Sequence, residues 1–63
     1  MRGLGVTYRI ELAEYQTDDW IIVALVDKTI SDLKAYVCII KRMHPGSRVR
    51  AFSVNTNEMV IQV

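Results

Sequence analysis

Trp20-Ile21-Ile22-Val23-Ala24-Leu25-Val26 is the stretch on which the fold of this chain turns. Seven consecutive apolar residues read as a strand buried on both faces. The chain has only 63 residues, and one helix covers only one face of a sheet. A second copy or a partner protein is therefore expected on the other side.

Upstream, Val6-Thr-Tyr-Arg-Ile-Glu-Leu-Ala-Glu14 alternates with the period of a half-buried strand, with Val6, Tyr8, Ile10 and Leu12 on one side and Thr7, Arg9, Glu11 and Ala13 on the other. Gln16-Thr-Asp-Asp19 reads as the turn between the two strands. An even-length loop there sets Tyr15 opposite Trp20, Ala13 opposite Ile22, Leu12 opposite Val23 and Ile10 opposite Leu25. That register gathers Tyr8, Ile10, Leu12, Ile21, Val23 and Leu25 on the inner face. Tyr15, Trp20, Ile22, Ala24 and Val26 fall on the outer one, which lacks the polar character of a solvated surface. Exchanging the two faces only moves the apolar patch to Tyr8, Ile10, Leu12, Val23 and Leu25.

Downstream, Asp27-Lys28 breaks the strand and Thr29-Ile-Ser-Asp32 opens a helix, with Thr29 as the cap and Asp32 suited to the positive end of the helix dipole. Ile30, Leu33, Tyr36, Val37, Ile40 and Met43 follow at helical spacing as the buried stripe, with Lys34, Lys41 and Arg42 away from it. Pro45-Gly46 stops the helix, proline because it cannot continue it and glycine because it tolerates a left-handed turn. Arg48-Val-Arg-Ala-Phe-Ser-Val54 reads as a third strand, Asn55-Thr-Asn57 as a turn, and Glu58-Met-Val-Ile-Gln-Val63 as a closing strand with Met59, Ile61 and Val63 on its apolar side. A two-residue loop in this second hairpin groups Phe52 with Ile61, whereas a three-residue loop with Asn57 left-handed shifts the partner by one. The expected fold is a single α+β domain over residues 1–63, ββαββ, with a four-stranded, mainly antiparallel sheet and one helix packed on one face. Residues 1–5 are expected to be a flexible N-terminus.

A chain this short buries only about 60% of the surface its unfolded form exposes, so its stability needs help from a staple or from association. Cys38 is the only cysteine and His44 the only histidine, which excludes an internal disulfide and a structural zinc site. No apolar run approaches the ~20 residues needed to span a bilayer, and Met1-Arg2-Gly3-Leu4-Gly5 lacks the apolar core of a secretory signal. A soluble cytoplasmic protein without a membrane partner is expected.

Charge is unevenly spread. Residues 1–32 carry six acidic against three basic side chains, net −3, and residues 33–63 carry five basic against one acidic, net +4. This polarity allows an acidic partner or head-to-tail attraction and argues against mimicry of DNA by a strongly acidic surface. Catalysis finds little support. Cys38 and His44 are the one nucleophile and base pair by type, and six residues along a helix separates them by roughly 9 Å axially and about 120° of rotation. The glycines at 3, 5 and 46 do not form a phosphate loop. No enzyme activity, cofactor, metal or small-molecule substrate is expected. Lys41, Arg42, Arg48 and Arg50, beside His44 and Phe52, form a basic cluster expected to serve electrostatic or nucleic-acid contact, with the heads of Arg48 and Arg50, at the start of a strand, expected to reach water. Tyr15, Trp20, Ile22 and Val26 are the expected partner-binding residues, since Trp and Tyr are enriched at interface centres.

The N-terminal hairpin, the helix start Thr29-Ile30-Ser31-Asp32, the helix stop Pro45-Gly46 and the basic strand Arg48-Val49-Arg50 together resemble the small RNA-polymerase inhibitors of T-odd coliphages. The resemblance is one of layout over residues 6–54, and no functional residue is carried over by it. It implies a non-enzymatic phage or mobile-element protein that inhibits or redirects a host protein in the host cytoplasm, through an open sheet face or an edge strand. Dimerisation with a second copy is compatible with that role, and a nucleic-acid-binding regulator using the basic cluster is the alternative.

Overall fold

The elements follow in the order β1 (Val6–Glu14), β2 (Ile21–Lys28), α1 (Ile30–Met43), β3 (Ser47–Ser53) and β4 (Met59–Gln62), in a computed structural model that describes residues 6–63. The expected flexible N-terminus, residues 1–5, lies outside the described residues. The strands form one sheet in the order β2-β1-β3-β4 with every neighbouring pair antiparallel, so the α+β, ββαββ architecture read from the sequence is the one observed. β1 lies between β2 and β3, and α1 leaves the edge strand β2, spans the sheet and packs on both β2 and β3. Among the described residues no helix is long and apolar enough to cross a membrane.

The first hairpin departs from its expected register. Tyr8 pairs with Val26 and Ile10 with Ala24, but Glu11 pairs with Ile22 and Leu12 with Ile21, so Val23 is an extra residue in β2. This bulge changes which side chains share a face. Ala24 and Val26 lie on the helix side and pack against the core, whereas Val23 and Leu25, expected inside, are 45% and 65% exposed. The expected pairing of Ile10 with Leu25 is therefore one residue out of step and that of Leu12 with Val23 two, and exchanging the two faces does not repair them. Loop length alone set the expected register, and the bulge that overrides it is invisible to loop length.

A second irregularity, at Val60, does the same to β4. Ala51 pairs with Ile61 on the helix side, and Phe52 pairs with Met59 on the other. Met59 and Ile61, expected on one apolar side, are thus divided between the faces. Asn57 supplies the left-handed residue of this turn, φ 58°, the only positive φ outside glycine among the described residues, and its N–H donates to the Ser53 carbonyl at 2.7 Å. Asparagine is one of the few side chains that tolerates this conformation.

Thr29 caps α1 as expected, its Oγ1 accepting from the Asp32 N–H at 3.3 Å. The helix ends at His44, whose N–H donates to the carbonyls of Ile40 and Lys41. Gly46 does not adopt the expected left-handed conformation, and a Cβ there would meet nothing within 4 Å; its carbonyl accepts from the Tyr15 N–H. The buried stripe is shorter than its periodicity suggests. Leu33 and Val37 are fully buried, Tyr36 and Ile40 partly, while Ile30 and Met43 are exposed at the two ends of the helix, one turn beyond that stripe.

Ile10, Leu33, Val37 and Val49 are the largest fully buried side chains, with Tyr8 and Ala51 completing the core. So small a core leaves each contact a large share of the stability. Leu33→Ala is expected to cost about 2–5 kcal/mol by cavity formation, whereas Met43→Ala, at an exposed site, should stay within about 0.5 kcal/mol of the parent. Urea unfolding followed by circular dichroism compares the two directly.

Candidate functional site

β1 and β3 present their odd- and even-numbered outward residues directly across from one another on the face away from α1: Arg9 opposite Phe52, Glu11 opposite Arg50, Ala13 opposite Arg48. No element of the described residues packs over this face. Its side chains cover it themselves. Trp20, the last residue before β2, has the Arg48 guanidinium 4.8 Å and the Arg50 guanidinium 3.8 Å from its ring centroid. Phe52 has Arg50 and Arg9 each 4.8 Å from its own ring. The result is a continuous ladder, Arg48–Trp20–Arg50–Phe52–Arg9, in which every ring is stacked by two guanidiniums. Each such contact contributes about 0.5–1 kcal/mol at a part-exposed site.

Glu11 holds the ladder from below. Its carboxylate accepts from Arg9 Nε at 2.7 Å and from Arg50 Nε at 2.7 Å, and the residue is 8% exposed. Burial pushes its pKa up, but the hydrogen bonds from Arg50 and Arg9 and their positive charges outweigh that effect, and the carboxyl lies below its ordinary value. Arg9 also donates to Asn57 Oδ1 at 3.2 Å, which ties the turn before β4 to the ladder. Arg48 closes the other end, donating to the Thr17 carbonyl, to the Glu14 carbonyl at 3.4 Å and to Asp18 Oδ1 at 3.1 Å. Arg48 and Arg50, whose heads were expected to reach water, are instead side chains that knit the sheet face to the β1–β2 loop; each is about a quarter exposed.

The structure divides both sets of expected site residues. Of the partner-binding set, Trp20 and Ile22 lie on the open face, Ile22 60% exposed beside Glu11. Val26 packs against the core under α1, and Tyr15 stands at the C-terminal end of the helix with the Lys41 ammonium 4.4 Å from its ring. The bulge at Val23 is the reason Val26 turns inward. Of the basic cluster, Arg48 and Arg50 belong to the ladder. Lys41, expected to face away from the packing, is half-buried and donates to Tyr15 Oη and the Ser47 carbonyl, and Arg42 is exposed at the helix end. Sequence reasoning missed Arg9 and Glu11. The signal for them was their outward phase in β1, matched by the same alternation at Arg48, Arg50 and Phe52.

The remaining chemistry-bearing residues stay apart. Cys38 is exposed on α1, and His44 lines a shallow cleft of about 400 Å³ with Glu14, Thr17, Asp19, Ile21 and Ser47. Among the described residues no group of three or more His, Cys, Asp or Glu side chains is placed to hold a metal ion.

The lowered Glu11 pKa fixes a sign. Glu11 binds its proton less tightly in the folded than in the unfolded state, so its contribution is fully present above the ordinary carboxylate pKa and is lost as pH falls through the folded value. Glu11→Gln should cost about 1.5–3 kcal/mol at neutral pH, and the gap between variant and parent in urea unfolding should narrow as the solution is acidified. A gap independent of pH would mean that the carboxylate charge is not what holds the two arginines.

No family model matches the chain, and the searches of curated proteins and of solved structures found no match.

Proposed function

We propose that this protein is a non-enzymatic docking module that presents the arginine–aromatic ladder of its open sheet face to a partner protein, in the manner of a phage or mobile-element product that inhibits or redirects a host protein. The observation that carries this reading is the ladder itself, on the one face of the sheet that no helix covers. Trp and Arg are the residue types that most often dominate interface energies. Here they are held rigid by Glu11, Asn57 and the β1–β2 loop, which lowers the ordering cost of binding.

Two features favour protein over nucleic acid as the partner. Both aromatic rings already carry guanidiniums, so an incoming base would have to displace them in order to stack. The three arginines of the face are also answered by Glu11 beneath them and Asp18 at the rim, which leaves little of the excess positive charge that phosphate binding draws upon.

Affinity capture from a bacterial lysate with the wild-type chain and with Trp20→Ala tests the reading. A single host protein should be retained by the wild type, survive moderate salt and be lost with Trp20→Ala, which in a hot spot costs 2 kcal/mol or more, about a thirtyfold loss of affinity. A fluorescently labelled single-stranded oligonucleotide provides the opposing measurement. Tight binding of it that collapses steeply with added salt, together with no captured protein, would transfer the face to nucleic acid.

A further inference from the structure

β2 is an edge strand, and along its apolar stretch the bulge at Val23 is the one protective device it carries. From Ile21 to Val26 it has no charge and no proline, and Ile21, Ile22, Val23 and Leu25 are 57%, 60%, 45% and 65% exposed. The opposite edge, β4, is blunted by being four residues long. We infer that β2 pairs antiparallel with β2 of a second copy of this chain, joining two four-stranded sheets into one of eight strands.

The bulge narrows the possible registers, and charge decides between those that remain. Residues directly opposite in an antiparallel pair share a face. Ile21, Ala24 and Val26 lie on the helix side, opposite Leu12, Ile10 and Tyr8, while Ile22 and Leu25 lie on the open side, opposite Glu11 and Arg9. In one two-fold arrangement Ile21 stands opposite Val26 and Ile22 opposite Leu25, each pair sharing a face, with the bulge residue Val23 opposite Ala24 at the centre. A shift of one residue either way brings open-side Ile22 opposite Ala24 or Val26 and breaks the match, whereas the register that sets Ile21 opposite Ala24 keeps the match but brings Asp18 of one copy beside Asp27 of the other. An unbulged strand could not satisfy either arrangement, because residues whose numbers sum to an odd value would fall on opposite faces.

The register with Ile21 opposite Val26 sets charge against opposite charge. Continued into the loop that precedes β2, it brings exposed Asp19 of one copy towards Lys28 of the other, twice by symmetry, at the two ends of the apolar segment over residues 21–26. Lys28 is half-buried over the Tyr36 ring at 4.9 Å, which holds its stem at the end of the strand. Both helices then lie on one side of the joined sheet and both arginine–aromatic ladders on the other. The pairing does not depend on the function proposed for the ladder, since it uses a different surface.

Analytical ultracentrifugation of the wild-type chain across the micromolar range should give the mass of two chains. Leu25→Lys, at an exposed site, should return the mass of one chain while the circular dichroism spectrum is retained. Asp19→Lys and Lys28→Asp should each weaken the dimer by about tenfold, and the double variant, which restores both ion pairs, should recover most of the loss. A wild-type chain that stays at the mass of one chain over the whole range, even if it captures a foreign protein, overturns the self-pairing. A dimer that survives Leu25→Lys, or a double variant no better than the sum of its parts, overturns the β2 register.

Discussion

Between Ile10 and Glu11 of the central strand, β2 contributes one residue more than its neighbour needs, and much of the molecule follows from that surplus. A regular β2 would keep a single alternation along its whole length, and Ile22, Ala24 and Val26 would share one face. The bulge at Val23 lets the C-terminal half of the strand turn Ala24 and Val26 under the helix while the N-terminal half turns Ile22 outward beside Glu11. A local cost in ladder hydrogen bonds is accepted at the sheet edge, where bulges are most easily accommodated.

A sheet with a single helix has one face to cover by other means. Here the cover is built from the strands' own long side chains. Arginine suits this use because its guanidinium is planar, stacks on aromatic rings with its face and still donates to a carboxylate in its own plane. Glu11 is the residue that makes the arrangement hold together: two arginines converge on one carboxylate that is almost fully buried, and their mutual repulsion is offset where they are closest. Removing either kind of partner would leave a desolvated charge without its counterpart, which is why the ladder behaves as a unit.

Small size explains where the remaining apolar surface goes. With four large side chains fully buried, the interior is close to the lower limit for an independent domain. The exposed apolar residues are not scattered evenly. Four of them lie consecutively or nearly so along β2, at the edge of the sheet, in a segment whose backbone donors and acceptors are free on one side. Folding and assembly therefore draw on the same strand, one edge of it paired with β1 and the other available.

Much of the architecture was legible in the sequence because it rests on local rules. The alternation of β1, the Thr29 cap, the helical spacing of Leu33 and Val37, and the left-handed option at Asn57 are each fixed by a few neighbouring residues. The candidate site was legible only in pieces. Trp20, Arg48 and Arg50 stood out by type, but their meeting with Arg9, Glu11 and Phe52 required knowing that β1 lies between β2 and β3. Strand order and bulges depend on contacts between residues far apart in the chain: Glu11 finds Arg50 thirty-nine positions away. Composition and period determined the elements and their buried stripes; the tertiary structure decided which faces met, because an extra residue in a strand changes the phase of everything beyond it and leaves no mark on local periodicity.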